Sequence, residues 1–478
     1  MQREKQYCLC LLFILISCCH ASAQQPGTSS LLPDSSFSSL SPDYLVGEIV
    51  ITGNRKTKAN IILREIPFHT GEHYSLQELV KKFEDARRQL MNTTLFHTVM
   101  VAAKSFEGNK IDVAVTVKER WYLFPLPYFK PVDRNLNQWL VEQKASLNRV
   151  NFGAKILYYN TTGRNDKLRA WLMAGYTKQV SLSYDRLYID KAMQWGMKVG
   201  IAAGKNRELN YNTVNDKQVF LKDNSQYVRN FINTYAELTY RKAIRTRHSI
   251  GISYTSEQVE DTIVKLNPSY FISGRKRTSF PEIYYSMTYY DVDYNPYPTQ
   301  GYAGSILLSK KGINKATNMW QLHLKGLGSW HLSPKTFINV YAYGGIKVPF
   351  KQSYYNLRFL GYGDVFMQGY EYYVLDGVAG GYLKTTVARE ILNFNIRIPP
   401  RKDKDAQRIP FRIFGKIYGN NGYVYNPQPG DNKLSNRLLN SAGVGIDILT
   451  FYDVTFRFEY TFNQLGQNGL YLHRKTIF

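Results

Sequence analysis

The sequence predicts a mainly β fold, in which a transmembrane antiparallel β-barrel of about 16 strands follows one small α+β domain. Strand-like runs recur from residue 121 to the end. The chain contains 38 Tyr and 25 Phe, as expected for aromatic side chains at two membrane interfaces. After the N-terminal segment, no apolar stretch is long enough for a membrane-spanning helix, so any crossing would be made by strands.

The first 23 residues are typical of a secretory signal peptide. Arg3 and Lys5 form a charged start, Leu9 to Ile16 form an apolar core, and Ala21-Ser22-Ala23 is a small-residue cleavage site. A transmembrane helix is the alternative, but the apolar run is short and ends in polar residues. Export is therefore predicted.

The four cysteines all lie in this segment, at positions 8, 10, 18 and 19. Cleavage after Ala23 would leave no cysteine, which excludes a disulfide scaffold in the mature chain. Leu15-Ile16-Ser17-Cys18 also resembles a lipoprotein cleavage box, so lipidation at Cys18 is an alternative. The Ser- and Pro-rich residues 24–43 predict a flexible linker.

The chain has a formal net charge of +24, of which residues 1–23 contribute +1 through Arg3, Lys5 and Glu4. The remaining +23 favours anionic partners, such as outer-membrane lipids including lipopolysaccharide. Export makes nucleic acid the weakest of the anionic candidates, and none is predicted. A solvated basic surface without a specific site is the alternative.

Residues 44–120 have the pattern of a compact α+β domain in the order β-α-α-β-β. VGEIVITG alternates as a strand and ends at the turn signal Gly53-Asn54. Thr57 to Ile66 predicts a helix, and a second one starts at Ser75, with Glu78 completing a capping box. Its apolar stripe predicts core packing and comprises Leu76, Leu79, Val80, Phe83, Ala86 and Leu90. Two strands, starting at Phe96 and Lys110, complete the domain.

Residues 121–478 predict the barrel. At 454–462 every second residue is apolar (Val, Phe, Phe, Tyr, Phe), whereas Thr, Arg, Glu and Thr occupy the positions between. Successive side chains of a strand point to opposite faces, so one face is apolar and the other polar. A soluble sandwich alternates in the same way. At roughly 20–25 residues per strand and loop, this region accommodates about 16 strands.

The stretch DVDYNPYPTQG at 291–301 interrupts the strand pattern. Prolines cannot donate to a strand ladder and glycine accepts positive φ, so the chain has to turn here. The cluster resembles a barrel turn of the Omp85 superfamily of outer-membrane assembly and translocation proteins. An ordinary hairpin loop is the alternative. The matching residues are Asp291, Asn295, Pro296, Pro298, Thr299 and Gly301.

Two further segments resemble the same superfamily. Residues 46–120 look like a POTRA domain in both motif order and element order, and no second copy of the pattern is present. Phe478 ends the chain as in many outer-membrane barrels. The matching POTRA positions are Gly53, Asn54, Gly71, Phe96, Val117 and Glu119.

LRFLGYGDVFMQGYEYY at 357–373 resembles the superfamily's sixth loop, which folds back inside the barrel. Gln368 stands where the superfamily has arginine, and a neutral amide cannot form the bidentate ion pair that arginine forms with an interior carboxylate. We therefore expect this loop to be held more weakly or by other groups. The motif positions are Gly361, Asp364, Gln368, Gly369 and Tyr370.

The resemblance implies a function without covalent chemistry: insertion of outer-membrane proteins, or passage of a polypeptide across that membrane. A periplasmic POTRA edge would recruit unfolded outer-membrane or exported polypeptides by β-augmentation, and a barrel seam would accept their strands. Accessory lipoproteins or periplasmic proteins are further implied partners. The alternative is an outer-membrane pore or structural barrel without insertase activity.

No enzyme activity, cofactor or metal site is predicted. The chain has no Gly-x-Ser-x-Gly elbow, which a fused lipase would need. His69 and His73 lack a surrounding Glu-x-x-His helix, so surface histidines are the better interpretation. Asp291 and Asp293 share a strand face, but a solvated turn or an interior charge pair explains them better than a bound cation.

Overall fold

The computed structural model describes residues 43–131, 144, 146–147, 150–223, 225–314, 317–363, 365–398, 407–450 and 454–473. The predicted signal peptide and linker lie outside the described residues, except for residue 43. The same holds for Cys18, Asp364 and Phe478, so their predicted roles remain predictions.

The N-terminal domain is a four-stranded sheet covered by two helices. The sheet order is β2-β1-β4-β3, and β1 runs parallel to β4. Its elements are β1 (Tyr44–Thr52), α1 (Ala59–Glu65), β2 (His73–Tyr74), α2 (Leu76–Asn92), β3 (Phe96–Glu107) and β4 (Lys110–Glu119). The two-residue strand β2 adds to the predicted order, and α1 is shorter than the predicted Thr57–Ile66.

The predicted capping box at the start of α2 is present. The Glu78 amide donates to Ser75 Oγ at 3.3 Å, and the Ser75 amide donates to Glu78 Oε2 at 2.9 Å. The predicted stripe is only partly buried, because Leu76 and Val80 are 50% and 54% exposed. The core includes Val46, Ile62, Leu79, Leu90, Phe96 and Val113.

The rest of the described chain is dominated by a 16-stranded antiparallel sheet, which confirms the predicted fold class. Strands that neighbour each other in the sheet follow one another along the chain, apart from two inserted hairpins, β10-β11 and β18-β19. In chain order, the elements are β5 (Leu123–Pro131), β6 (Val150–Tyr159), β7 (Lys167–Gly175), β8 (Thr177–Arg186), β9 (Trp195–Asn206), β10 (Glu208–Val214), β11 (Lys217–Lys222), β12 (Arg229–Tyr240), β13 (Thr246–Val259), α3 (Asp261–Leu266), a 3₁₀ turn (Ile272–Gly274), β14 (Arg277–Val292), β15 (Gly301–Asn314), β16 (Thr317–Ser333), β17 (Thr336–Val348), α4 (Tyr354–Leu357), β18 (Arg358–Leu360), β19 (Leu375–Asp376), β20 (Ala379–Ile398), β21 (Gln407–Tyr425), β22 (Leu439–Leu449), β23 (Thr455–Asn463) and β24 (Asn468–His473).

The two faces of the barrel sheet differ in chemistry, as the alternation predicts. On β23, Phe458 and Phe462 are 41% and 50% exposed on the outer face, whereas Glu459 and Thr461 are 1% exposed on the inner face. Other strands continue the exposed apolar outer face with Leu172, Val180, Ile201, Ile252 and Ile283. Among the described residues, no helix is long and apolar enough to cross a membrane.

Some strand edges of the described chain lack a partner. The terminal strands of the barrel sheet, β5 and β24, have no pairing to each other among the described residues. The β20-β21 hairpin also extends past its neighbours, because pairing with β17 ends at Arg389 and pairing with β22 begins at Arg412. Unpaired edges of this kind can accept another extended chain.

We expect Phe96→Ala to destabilise the N-terminal domain by about 3–5 kcal/mol, because it empties a fully buried position. Phe106→Ala on the same strand is the matched control: its side chain is 59% exposed, so we expect a change within about 0.5 kcal/mol. Urea unfolding followed by protease cleavage after Lys and Arg measures both. Equal effects would contradict the assigned core.

Candidate functional site

A buried ion pair ties the N-terminal domain to the barrel. Glu65 of α1 is 2% exposed, and Arg241, in the turn after β12, donates to its Oε2 at 2.8 Å. Tyr188, in the turn after β8, donates to Glu65 Oε1 at 2.8 Å. The neighbouring Arg64 donates to the Arg241 carbonyl at 2.6 Å. Helix α1 therefore contacts two turns at one end of the barrel, called here the proximal end.

The ionisation of this cluster follows from its partners. Burial alone would raise the pKa of Glu65, but the charge and hydrogen bonds of Arg241, with the Tyr188 hydroxyl, hold the pKa below its usual value. Burial and the nearby Glu65 carboxylate raise the pKa of Tyr188 to about 12. At neutral pH, Glu65 is therefore charged and Tyr188 remains a hydrogen-bond donor.

The predicted POTRA positions Gly53 and Glu119 shape a second contact with the barrel. Gly53 has φ +85°, and a Cβ there would lie 1.9 Å from the Val117 carbonyl oxygen, so only glycine fits. The Glu119 carboxylate accepts from the amides of Lys56 and Thr57 at 3.0 and 2.6 Å. These bonds fix the loop at 53–58. The loop contacts the turn after β6, where the Lys58 amide donates to the Gly163 carbonyl at 2.9 Å.

The other predicted POTRA positions lie within the domain itself. The Asn54 amide group donates to the Thr57 carbonyl at 3.1 Å. Gly71 has φ +89°, and its amide donates to the Val46 carbonyl at 2.9 Å. Phe96 and Val117 are buried in the domain core.

The predicted turn at 291–301 joins the domain to the barrel at a third place. Asp291 lies 2.9 Å from Arg245 and 3.6 Å from Arg88 of α2. Asn92, at the end of α2, accepts from the Asn295 amide at 3.1 Å and donates to the Val292 carbonyl at 3.3 Å. An ordinary hairpin loop would need none of these contacts.

Asp293 organises the turn from within. Its carboxylate accepts from the Thr299 amide at 2.9 Å, from the Thr299 hydroxyl at 2.5 Å and from the Gln300 amide at 3.0 Å. Gly301 has φ +107°, and a Cβ would lie 2.0 Å from the Asp291 carbonyl oxygen. Asp291 and Asp293 thus have separate partners within the described chain.

Pro296, Pro298 and the residue between them, Tyr297, are buried, and Tyr297 crosses the proximal opening of the barrel. Its ring centroid lies 4.6 Å from that of Phe414 and 5.9 Å from that of Phe337. Its hydroxyl donates to Asp447 at 2.9 Å, on a strand far along the sheet. The turn therefore folds into the barrel and partly fills its proximal end.

The predicted loop-six segment occupies the barrel interior. Gln368 donates to Glu459 Oε1 at 2.6 Å, and its carbonyl accepts from Ser441 at 2.6 Å. Gly369 has φ +87°, and a Cβ would lie 2.7 Å from Thr461. Gln368 thus reaches an interior carboxylate on β23 although it lacks the charge of arginine.

The aromatic and second glycine positions of loop six are also placed inward. Tyr370 is 2% exposed and donates to the Asn440 carbonyl at 3.1 Å. Gly361 has φ +86°, and a Cβ would lie 2.3 Å from the Tyr373 carbonyl oxygen. The loop therefore returns through a turn that requires glycine and then packs its aromatic side chains against the inner wall.

A lysine supplies the charge that Gln368 lacks. Lys416 of β21, which is 8% exposed, lies 2.5 Å from Glu459 and 2.6 Å from Asp447. His473 of β24 contacts the other Glu459 oxygen at 2.6 Å. Glu459 therefore joins loop six to strands β21, β23 and β24. Asp447 also accepts from Tyr297, so the loop and the proximal turn belong to one network.

Sequence analysis did not identify the following residues of these contacts as site residues: Glu65, Arg241, Tyr297, Lys416, Asp447 and Glu459. Tyr297 lies inside the recognised turn, and Glu459 lies on the polar face of a recognised strand, so their positions carried a signal. Lys416 carried none, because its role depends on contact between segments distant in the chain. Among the described residues, no group of three or more His, Cys, Asp or Glu side chains is arranged to hold a metal ion.

The N-terminal domain exposes one long strand edge. Strand β3 pairs only with β4 among the described strands, so its outer edge from Val99 to Glu107 has no strand partner in the described part of the chain. Met100 and Phe106 on this strand are each 59% exposed. By contrast, the opposite edge of the sheet is partly covered by β2, which pairs with Tyr44 and Leu45.

We expect Lys416→Met to destabilise the barrel by about 3–5 kcal/mol, because it leaves two buried carboxylates without their cation. Gln368→Arg in the same chain should restore at least half of this loss. Lys265→Met, at an exposed helix position, is the control and should have no effect. The temperature at which the protein loses its compact gel mobility measures all of them. If Gln368→Arg does not restore the stability lost in Lys416→Met, position 368 cannot supply the positive charge that Lys416 provides to the buried carboxylates.

We expect Glu65→Gln to loosen the N-terminal domain from the barrel, since it leaves Arg241 without its buried counter-charge. Protease cleavage at the turn after β12 should rise at least tenfold, whereas Glu84→Gln, at an exposed position of α2, should leave it unchanged. If Glu65→Gln is cleaved at the same rate as the unaltered protein, the pair of Glu65 and Arg241 does not hold the N-terminal domain on the barrel.

The same pair predicts a pH dependence. Because the pKa of Glu65 is lower in the folded protein than in the unfolded chain, the pair stabilises docking at neutral pH. The contribution should persist at pH 5 and disappear as the pH falls below the ordinary carboxyl value of about 4.3. Cleavage at the same turn, measured from pH 7 to pH 3, should rise only at the acidic end, and Glu65→Gln should flatten that response.

Comparison with known proteins gives one family match and several structural likenesses. The family described as "POTRA: Surface antigen variable number repeat" matches residues 44–120. BamA from Haemophilus ducreyi lacking POTRA domains 1–3 is 15% identical, with a TM-score of 0.49 over 90% of this chain and 83% of that chain. CdiB from Acinetobacter baumannii is 13% identical, with a TM-score of 0.48 over 89% and 71%. No curated protein sequence matches.

The assignment depends on the family match and on the chain's own topology. Residues 44–120 match the POTRA family and form the α+β domain described above. The 16-stranded antiparallel sheet follows directly, with a turn and an inward loop at the positions that resemble the superfamily motifs. Residues 44–120 thus match the POTRA family, and a 16-stranded antiparallel sheet follows them.

Proposed function

We propose that this protein handles polypeptides at the outer membrane, either inserting β-barrel proteins into it or passing an extended chain across it. The POTRA domain would then lie in the periplasm. The observation that supports the proposal is the outer edge of β3 from Val99 to Glu107, which pairs with no other described strand and is held at the proximal end of a barrel by buried polar contacts. A strand edge recruits extended chains through backbone hydrogen bonds.

The docking contacts favour delivery of a client to the barrel wall. Glu65, Asn92 and the loop at 53–58 contact separate proximal turns, so the domain has little freedom to swing. A client strand captured at β3 would remain near the barrel. The edges of β5, β24 and the β20-β21 hairpin that have no strand partner among the described residues offer further positions where a strand can satisfy its backbone before entering hydrocarbon.

An open pore is the competing function, and the barrel interior argues against it. Loop six and Tyr297 occupy the inside of the barrel, and their anchors Lys416, Asp447 and Glu459 are buried. We propose no covalent chemistry, because polypeptide insertion needs only strand exchange. A large steady conductance of the purified protein in planar bilayers would favour the pore instead.

We expect a photo-crosslinking residue at Met100 to capture a urea-denatured outer-membrane barrel client added to proteoliposomes. The same residue at Val80, 54% exposed on helix α2, is the matched control and should capture at least fivefold less. Proteoliposomes should also speed the folding of this client relative to empty liposomes. Equal crosslinking at both positions, together with no acceleration, would overturn the proposed function.

A further inference from the structure

The outer face of the barrel carries a cationic row at the end opposite the POTRA domain, called here the distal end. Strand register places Lys178 of β8 opposite Lys205 of β9, and Lys205 opposite Asn230 of β12. The row continues through Gln258 to Arg277 of β14. Directly opposed residues point to the same face of a sheet, so these side chains form one polar band across five strands.

The band lies directly above apolar surface. The next outward-facing row towards the proximal end contains Val180, Ala203 and Ile232, and Val180 and Ile232 are 57% and 38% exposed. Further rows continue with Ile201 and Ile252, which are 45% and 61% exposed. Polar residues above an apolar belt correspond to the boundary between lipid headgroups and acyl chains.

A groove of about 690 Å³ is present at this boundary. Small residues, Ala174, Ala203 and Gly204, form its floor, and Lys178, Lys205 and Arg277 line its distal side. Tyr227 stands at the rim, with its ring centroid 5.8 Å from the Lys178 ammonium. The groove therefore combines an apolar floor with cations at one end.

The three cations are available for an external anion. All three are exposed, and within the described chain none forms an ion pair with a carboxylate. Arg277 donates to the Ser256 hydroxyl at 3.2 and 3.3 Å, which orients the guanidinium without neutralising it. From Lys178 to Arg277 the row spans about 19 Å at the usual strand spacing, which is wide enough for more than one phosphate group.

We propose that this groove binds a phosphate-bearing glycolipid of the outer leaflet, with its phosphates on Lys178, Lys205 and Arg277 and an acyl chain over Val180 and Ile232. The choice of leaflet rests on the proposed location of the POTRA domain in the periplasm, which puts the distal end outside. Charge complementarity selects the headgroup, and the apolar rows below it select a lipid over a soluble anion.

The test measures lipid binding by the purified full-length mature protein in non-ionic detergent, using native mass spectrometry. The probe is bis-phosphorylated lipid A. Changing Lys178, Lys205 and Arg277 together to Gln should weaken binding at least about tenfold, because each cation near a charged headgroup contributes to affinity. The matched control changes the exposed POTRA residues Lys81, Arg87 and Lys104 to Gln, and should bind like the unaltered protein.

Further arms identify the ligand. Lipid A without phosphates, phosphatidylglycerol and inorganic phosphate should each bind at least about tenfold more weakly than bis-phosphorylated lipid A. Equal binding of phosphatidylglycerol, or displacement of lipid A by millimolar phosphate, would overturn the glycolipid assignment. A Lys178→Arg and Lys205→Arg variant should retain binding, which separates charge from folding defects.

Unchanged binding in the triple Gln variant would overturn the site. This result is independent of client handling, because no client is present. Normal crosslinking at Met100 with no lipid binding would contradict the glycolipid site and leave the proposed function unaffected. Normal lipid binding with no client crosslinking would contradict the proposed function and leave the glycolipid site unaffected.

Discussion

The requirement that every backbone N–H and C=O find a partner is the constraint on which the rest of the structure depends. In hydrocarbon, no water is available to pair with an unmatched group, so a membrane-crossing sheet has to curl until its strands satisfy one another. The 16 strands do so as neighbours in chain order. Among the described residues, edges without a strand partner remain in the POTRA domain, at the terminal strands, on the β20-β21 hairpin and on the two inserted hairpins, and such edges can recruit another strand.

Curling the sheet brings polar side chains together inside it, and these have to be neutralised in turn. Glu459 and Asp447 share Lys416, while Gln368 and His473 complete the contacts of Glu459. A buried carboxylate without a cation would be strongly unfavourable. Although Gln368 stands where the superfamily that the loop resembles has arginine, the loop is therefore still attached to the barrel wall. The charge is carried by the barrel wall, and the loop contributes an amide donor.

Polar contacts, and not only apolar packing, join the POTRA domain to the barrel. The buried pair of Glu65 and Arg241 aligns one helix with two turns, and Asn92 holds the inward turn that carries Tyr297. Tyr297 also donates to Asp447. Contacts are therefore continuous from the domain to the network of Lys416, Asp447 and Glu459, which binds loop six. These contacts connect the POTRA domain, which contains the β3 edge, to the barrel interior.

Local sequence patterns are sufficient to predict the α+β domain, the two faces of the strands and the turns, because alternation, capping residues and glycine–proline clusters act over a few neighbours. Gly53 and Gly301 are recognisable for this reason, whereas Gly369 is recognisable through the resemblance of its segment to the superfamily's sixth loop. Only the tertiary structure decided which distant groups meet: Lys416 with Glu459, Glu65 with Arg241, and the cationic row above its groove. These pairings depend on strand register and barrel curvature, since side chains 43 residues apart, as for Lys416 and Glu459, or 176 apart, as for Glu65 and Arg241, become neighbours only when the sheet has formed.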